Sequence, residues 1–231
     1  MNTRTNWILA CAGLALALAA STPSARANLL VDPGFEVNPL DTAFNVLNNF
    51  PLYQGIWGVE AATITGADGG VTPFQGVKML RMVDDGQAGT TQGMQVTDVT
   101  SYAALIDSGG ATVNMSAMFD AHQNLSAALG GVYVSFFTAN YYGSLTSFIG
   151  NTLTLDNATS TWEPISVSGA IPAGTRWLLS QVVYSDASLL GSDGVSYPSY
   201  VDAAGLTITP EPASVVGLLV VAATALRMRR R

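Results

Sequence analysis

Between Asn28 and Thr209 no long stretch sets apolar residues at helical spacing; they come in short runs, many alternating with polar residues, with Gly, Asp, Asn, Ser and Pro between the runs. A chain patterned this way buries its apolar side chains by turning one face of many short strands inward. Within Ala111 to Phe119, for example, Val113, Met115, Ala117 and Phe119 share one face, and Thr112, Asn114, Ser116 and Met118 share the other. That is a half-buried strand with one wet side.

The same reading predicts strands at Asn28 to Val31, Trp57 to Thr65, Val77 to Val83, Thr91 to Val96, Gly131 to Thr138, Thr152 to Leu155, Trp162 to Val167, Arg176 to Tyr184 and Ser199 to Ile208. Turn sequences fall between them, among them Ala67-Asp68-Gly69-Gly70, Asp84-Asp85-Gly86 and Ile171-Pro172-Ala173-Gly174. One short helical segment is predicted at Val99 to Ile106. No internal repeat or linker interrupts 28–208, so the expectation is a single all-β domain, a jelly-roll β-sandwich.

The two ends are of another kind. Met1 to Ala27 has a polar start with Arg4, a continuous apolar run from Ile8 to Ala20, and small residues at Ala25 and Ala27 around Arg26. This is the order of a secretory signal helix, with cleavage by signal peptidase predicted before Asn28. The only cysteine, Cys11, lies inside it. The rest of the chain therefore has no disulfide, zinc-thiolate site or cysteine nucleophile.

From Thr209 to Arg231 the sequence reads TPEPASVVGLLVVAATALRMRRR. Its apolar part, Ala213 to Leu226 with Val215, Val216, Leu218, Leu219, Val220 and Val221, reaches roughly 21 Å as a helix, against ~30 Å of bilayer hydrocarbon. As a transmembrane helix it spans only marginally. Arg227, Arg229, Arg230 and Arg231 favour the cytoplasmic side and stop transfer there, which puts the domain outside.

Between the two ends only Lys78, Arg81 and Arg176 are basic, against fifteen of the sixteen carboxylates, a formal charge of −12. Such a domain has no cationic cluster to hold phosphates, so nucleic acid is excluded as a partner. Divalent cations and neutral surfaces suit it better.

Two resemblances can be set on particular residues. Asn28-Leu29-Leu30-Val31-Asp32-Pro33-Gly34-Phe35-Glu36 resembles the opening NL(L/V)xNPGFE strand and turn of carbohydrate-binding-module-like jelly rolls with the galactose-binding-domain-like fold. Trp57, Pro73 to Arg81, Trp162 and the closing Ser199 to Ile208 follow in the order of that group. The resemblance implies a structural calcium between the Glu of the first turn and the Asp of the last strand, here Glu36 and Asp202. This sequence departs from the pattern at Ala203, where the group has a second Asp.

The tail resembles the PEP-CTERM sorting signal: Pro210, Glu211 and Pro212, then the apolar helix, then terminal arginines. That resemblance implies export across the inner membrane of a Gram-negative bacterium, transient membrane insertion and recognition by exosortase. The cargo is then released or attached at the cell surface, commonly in exopolysaccharide-producing, biofilm-forming organisms.

Catalytic chemistry has few candidates. His122 is the only histidine; it follows a predicted strand, close to Asp120, and no Gly-x-Ser-x-Gly elbow occurs. One histidine without cysteine falls short of a zinc set. Asp84 and Asp85, with Asp68, offer carboxylates for glycoside hydrolysis, but Asp-Asp-Gly is also ordinary turn sequence. Aromatics that can stack on sugar rings cluster in the second half: Tyr133, Phe137, Tyr141, Tyr142, Tyr184, Tyr197 and Tyr200. Alternation sets Tyr133, Ser135 and Phe137 on one face and Val132, Val134 and Phe136 on the other. The expectation is a non-enzymatic exported protein of the cell envelope or matrix that contacts glycans, exopolysaccharide among them. The alternatives are a purely structural matrix protein and a glycoside hydrolase.

Overall fold

The computed structural model of the protein describes residues 27–37, 40, 54–83, 90–125, 128–186 and 195–210. The signal segment up to Arg26, Asp84 and Asp85, and the tail from Glu211 onward lie outside the described residues. Among the described residues no helix is long and apolar enough to cross a membrane.

Ten strands form two antiparallel sheets: β1 (Gly58–Glu60), β2 (Ala62–Thr65), β3 (Met79–Met82), β4 (Thr90–Asp98), β5 (Ala111–Ala121), β6 (Ala128–Phe137), β7 (Leu145–Thr154), β8 (Glu163–Ala170), β9 (Trp177–Asp186) and β10 (Ser199–Pro210). One sheet has the order β1-β4-β9-β6-β7 and the other β2-β3-β10-β5-β8, so the chain changes sheet at nearly every connection. This is the jelly-roll sandwich that the alternation predicts. A 3-10 turn at Thr100–Tyr102 and a short helix α1 (Ala103–Asp107) bridge β4 and β5, where Ile106 is buried. The Arg176 guanidinium grips the Asp107 carboxylate with two hydrogen bonds and, with a Gly174 N–H, holds its carboxyl below the usual range.

The core lies between the sheets. Val113, Met115, Ala117 and Phe119 of β5 are all buried there, as are Val132, Val134 and Phe136 of β6 and Leu178, Val182 and Tyr184 of β9. A Trp57–Phe35 pair, with rings 5.0 Å apart, closes one end, and the Trp57 Nε1–H donates to the Asp32 carbonyl.

Four strand predictions need correction, each for a local reason. Asn28 to Val31 forms no strand. There the Asn28 side chain takes over the ladder's role, accepting from the Leu30 and Leu206 amides and donating to the Ala204 carbonyl. Trp57 to Thr65 is two strands, because Ala61 turns into the left-handed region (φ 49°) and passes the chain from one sheet to the other. The strand expected from Val77 begins only at Met79, since the Val77 and Lys78 N–H groups are taken by the Glu36 carboxylate. Thr152 to Leu155 is only the end of β7, which starts at Leu145.

Candidate functional site

The outer face of the β1-β4-β9-β6-β7 sheet carries the site. Tyr133 on β6 lies opposite Gly150 on β7 and Gln181 on β9. A Cβ on Gly150 would collide with the Tyr133 ring, and one on Gly131 would stand 3.0 Å from it. The ring is therefore laid down across two glycines, flat on the sheet, where a β-branched neighbour would make it stand up. Phe148, opposite Ser135, is 64% exposed beside it.

Tyr142 and Tyr141 stand at the rim on the turn before β7. Buried Ser144 knots that turn, its one hydroxyl proton shared between the carbonyls of Ala139 and Tyr141 while its oxygen accepts from the Ala139 N–H. Tyr142 also packs on Phe137, 5.8 Å between ring centroids. A row of neutral amides runs alongside: Gln181 donates to Gln92, and Gln92 donates to Glu60. Tyr133, Tyr142, Phe148, Gln181, Ser135 and Ser185 are among the residues lining a depression of about 470 Å³ that has no charged side chain in its wall. Apolar ring faces beside uncharged donors and acceptors suit a neutral polyhydroxylated ring, which has apolar C–H faces and hydroxyl edges.

The other predicted aromatics divide differently. Tyr184 is in the core; Tyr197 stacks on His122 with rings 4.3 Å apart. Tyr200 is buried in a small cluster with Val71 and Met79. Phe148, Gln92, Gln181 and the two glycines were not among the sequence candidates. Their signal is the cross-strand register, which places Gly150 under Tyr133 and is not readable without the pairing.

Glu36 and Asp202 do come together. A Cβ on Gly34 would lie 3.7 Å from both Asp202 Oδ1 and Glu36 Cγ. Glu36 Oε1 accepts from the Val77 and Lys78 N–H groups; fully buried Asp202 accepts from Gln75 N–H (2.9 Å) and Ala203 N–H (2.6 Å). Burial pushes the Asp202 carboxyl up, and the charge of Glu36 adds to it. Among the described residues the ion pairs are Arg81–Asp68 and Arg176–Asp107, so neither carboxylate has a cationic partner. Two hard-oxygen groups without a counter-charge fit a calcium ion in kind. They fall short in number: no three His, Cys, Asp or Glu side chains gather among the described residues, so further ligands would come from backbone carbonyls or water. Ala203, in the position of the missing Asp, has left-handed backbone (φ 49°) in a bulge of β10 that lets the Ala204 N–H reach the Pro33 carbonyl.

Among the described residues the catalytic candidates His122, Asp68 and Asp120 are each engaged or buried apart from the depression. The Nδ1 atom of His122 accepts from the Asn124 N–H. Asp68 is held by Arg81 (2.8 Å) and by the Tyr200 hydroxyl (3.1 Å). Asp120 is 1% exposed, its Oδ2 has no hydrogen-bond partner, and its pKa is pushed up to about 7 by burial, with the Asp156 and Glu163 charges adding. Neither the depression above nor a smaller one on the other sheet, about 270 Å³ and lined by Asn114, Ser116, Ser166 and Thr207 among others, has a carboxylate in its wall. Pro210 is the last residue of β10, opposite Ala111, and Ala27 is exposed at the other end of the described chain.

The structure is thus a two-sheet jelly roll with an aromatic depression, uncharged in its wall, on one sheet face. The jelly-roll fold is shared with solved structures. The chain is similar to TmCBM61, solved in complex with β-1,4-galactotriose: 12% identity, 78% of this chain and 98% of that one, TM-score 0.50. Also similar are a protein of Bacteroides thetaiotaomicron (10% identity, 79% and 100% covered, TM-score 0.47) and the CBM22-1 xylan-binding domain of Paenibacillus barcinonensis Xyn10C (11%, 82% and 99%, TM-score 0.46). No protein-family model and no curated protein matches the chain.

Proposed function

We propose that this is an exported, non-catalytic glycan-binding protein that takes a neutral polysaccharide segment on the outer face of the β1-β4-β9-β6-β7 sheet. The observation that carries the reading is the Tyr133 ring lying flat over Gly131 and Gly150, with Gln181 across from it. The ring offers a stacking plane, the amide row reads hydroxyls, and the uncharged wall selects against acidic sugars. Binding of the purified chain to neutral and uronic-acid polysaccharides tests it, β-1,4-galactan being the first neutral probe. Retention on neutral polymers alone is expected; a blank across both classes would leave the structural-matrix reading.

Delivery rests on the two ends of the sequence. The signal segment with Ala25 and Ala27, the Pro210-Glu211-Pro212 motif, the short apolar helix and the terminal arginines together support export, signal-peptidase cleavage, exosortase processing and an envelope or extracellular destination. Mass spectrometry of the protein recovered from the cell surface or culture medium is expected to find a new N-terminus at Asn28 and loss of the arginine cluster. Recovery of intact Arg231 in the surface form would count against processing.

Glu36 and Asp202 are proposed as calcium ligands. Gly76, at φ 67°, has no room for a Cβ beside Glu36 Oε1. Adding calcium after EDTA is expected to raise the melting temperature, and Gly76→Ala, which displaces Glu36, is expected both to destabilise the fold and to abolish that rise. An identical melting curve with calcium and with EDTA removes the metal from the account.

A further inference from the structure

We infer that β7 is a self-association edge, through which two copies of this chain pair strand to strand and join their five-stranded sheets into one. The four strands that end the two sheets are treated very differently. β1 has three residues and β2 four; β8 opens on Glu163-Pro164, and the Asn151 side chain caps its Ser166 carbonyl. Each is thus short, charged, proline-bearing or covered, the ways in which sheets keep their edges from pairing.

β7 is neither short, charged nor proline-bearing, and its tie to the neighbouring edge is the Asn151 side chain, which bonds the Ser166 carbonyl of β8 and the Thr152 N–H of β7 itself. It is ten residues long, LTSFIGNTLT, with no charge and no proline, and every residue but half-buried Ile149 is exposed. Leu145, Phe148 and Leu153 are 42%, 64% and 38% exposed. The one irregularity in its pairing with β6 lies at the Leu145 end and the Thr152 N–H is taken by the Asn151 side chain, so the regular stretch between them, about Ser147 to Asn151, is the part that offers backbone donors and acceptors to a second strand.

Charge selects a second copy as the occupant. The region from Asn28 to Ile208 is formally −12, yet between Ala121 and Thr175 only Asp156 and Glu163 are charged. Two acidic copies meet with least repulsion where neither has a carboxylate, and a strand pairs antiparallel with itself about a two-fold axis normal to the sheet. A cationic partner would be drawn to the carboxylates instead. In the joined sheet β6 and β7 of one copy continue into β7 and β6 of the other, which puts the two Tyr133 rings on one face, at least roughly 14 Å apart across three strand spacings. That last consequence rests on the glycan reading; the pairing does not.

Sedimentation velocity of the full chain in mild detergent, from about 1 μM to about 100 μM, tests the pairing. A concentration-dependent dimer is expected, tightened by salt as the acidic copies are screened. Ser147→Glu/Leu153→Glu is expected to weaken it at least tenfold, whereas Ser168→Glu/Thr207→Glu, with the same added charge on the other sheet, leaves it intact. Should the β7 variant misfold, hydrogen exchange of the wild type decides: amides of 145–154 gain protection with concentration and those of β8 do not. A monomer throughout, a dimer indifferent to the β7 charges, or protection that does not change with concentration overturns the inference. None of these measurements contains a glycan, so their failure is distinct from failure of the binding reading.

Discussion

Asp120→Asn is expected to make this protein more stable at pH 8, on the order of 2 to 4 kcal/mol, and to flatten its stability between pH 4 and pH 8. The reason is that Asp120 is sealed at the β5–β10 register beside Tyr200, with one oxygen bonded to its neighbour's N–H and the other to nothing. Its folded pKa, about 7, lies above the ordinary carboxyl value of 3.8. A raised pKa means that the folded state holds the proton more tightly than the unfolded chain. The stabilisation is therefore fully present below about pH 4 and is lost as pH rises to about 7. Glu163 is shifted the same way by burial, and Asp202 also when no cation is bound. Melting of the wild type in EDTA should accordingly be higher at pH 5 than at pH 8. A variant less stable than wild type at pH 8 would mean that Asp120 is ionised and held by a cation.

The second large effect concerns the sheet face. Tyr133→Ala is expected to weaken glycan binding at least tenfold, about 1.4 kcal/mol or more, with little effect on melting, because the ring lies on the outside of the sheet rather than in its core. Gly150→Val is the more discriminating variant. Valine suits a strand better than glycine, so the fold should hold or gain slightly. Its side chain nevertheless occupies the space in which the tyrosine ring lies. Binding is expected to fall as it does in Tyr133→Ala, although the tyrosine is still present. Loss in both variants assigns the binding to the ring's flat orientation; loss only in Tyr133→Ala would assign it to the hydroxyl or to contact area alone.

How far the sequence was readable follows from where burial is one-sided. β5 was predicted residue by residue because its inner face is apolar and its outer face is not; Val113, Met115, Ala117 and Phe119 are buried as the alternation requires. β6 was read equally well, with Tyr133, Ser135 and Phe137 sharing the outer face, although Phe137 is covered there by Met94, Val96 and Leu179. β7 was mostly missed because an edge strand exposed on both sides has no alternation to read, and its Ser, Gly and Asn look like loop. With it went Phe148 and the glycine beneath Tyr133. The approach of Glu36 to Asp202 came from resemblance to a known opening and closing motif, since no local pattern links residues so far apart in the chain. The capture of the Val77 and Lys78 amides by Glu36, which delays β3, had no sequence signal at all.

Titration calorimetry of the purified chain with a neutral β-linked polysaccharide, set beside Tyr133→Ala and Gly150→Val, tests the central claim most directly. Saturable binding by the wild type, weakened at least tenfold in both variants while their melting temperatures stay close to wild type, is the predicted result. Binding of undiminished strength in both variants would contradict the assignment of the glycan to this sheet face.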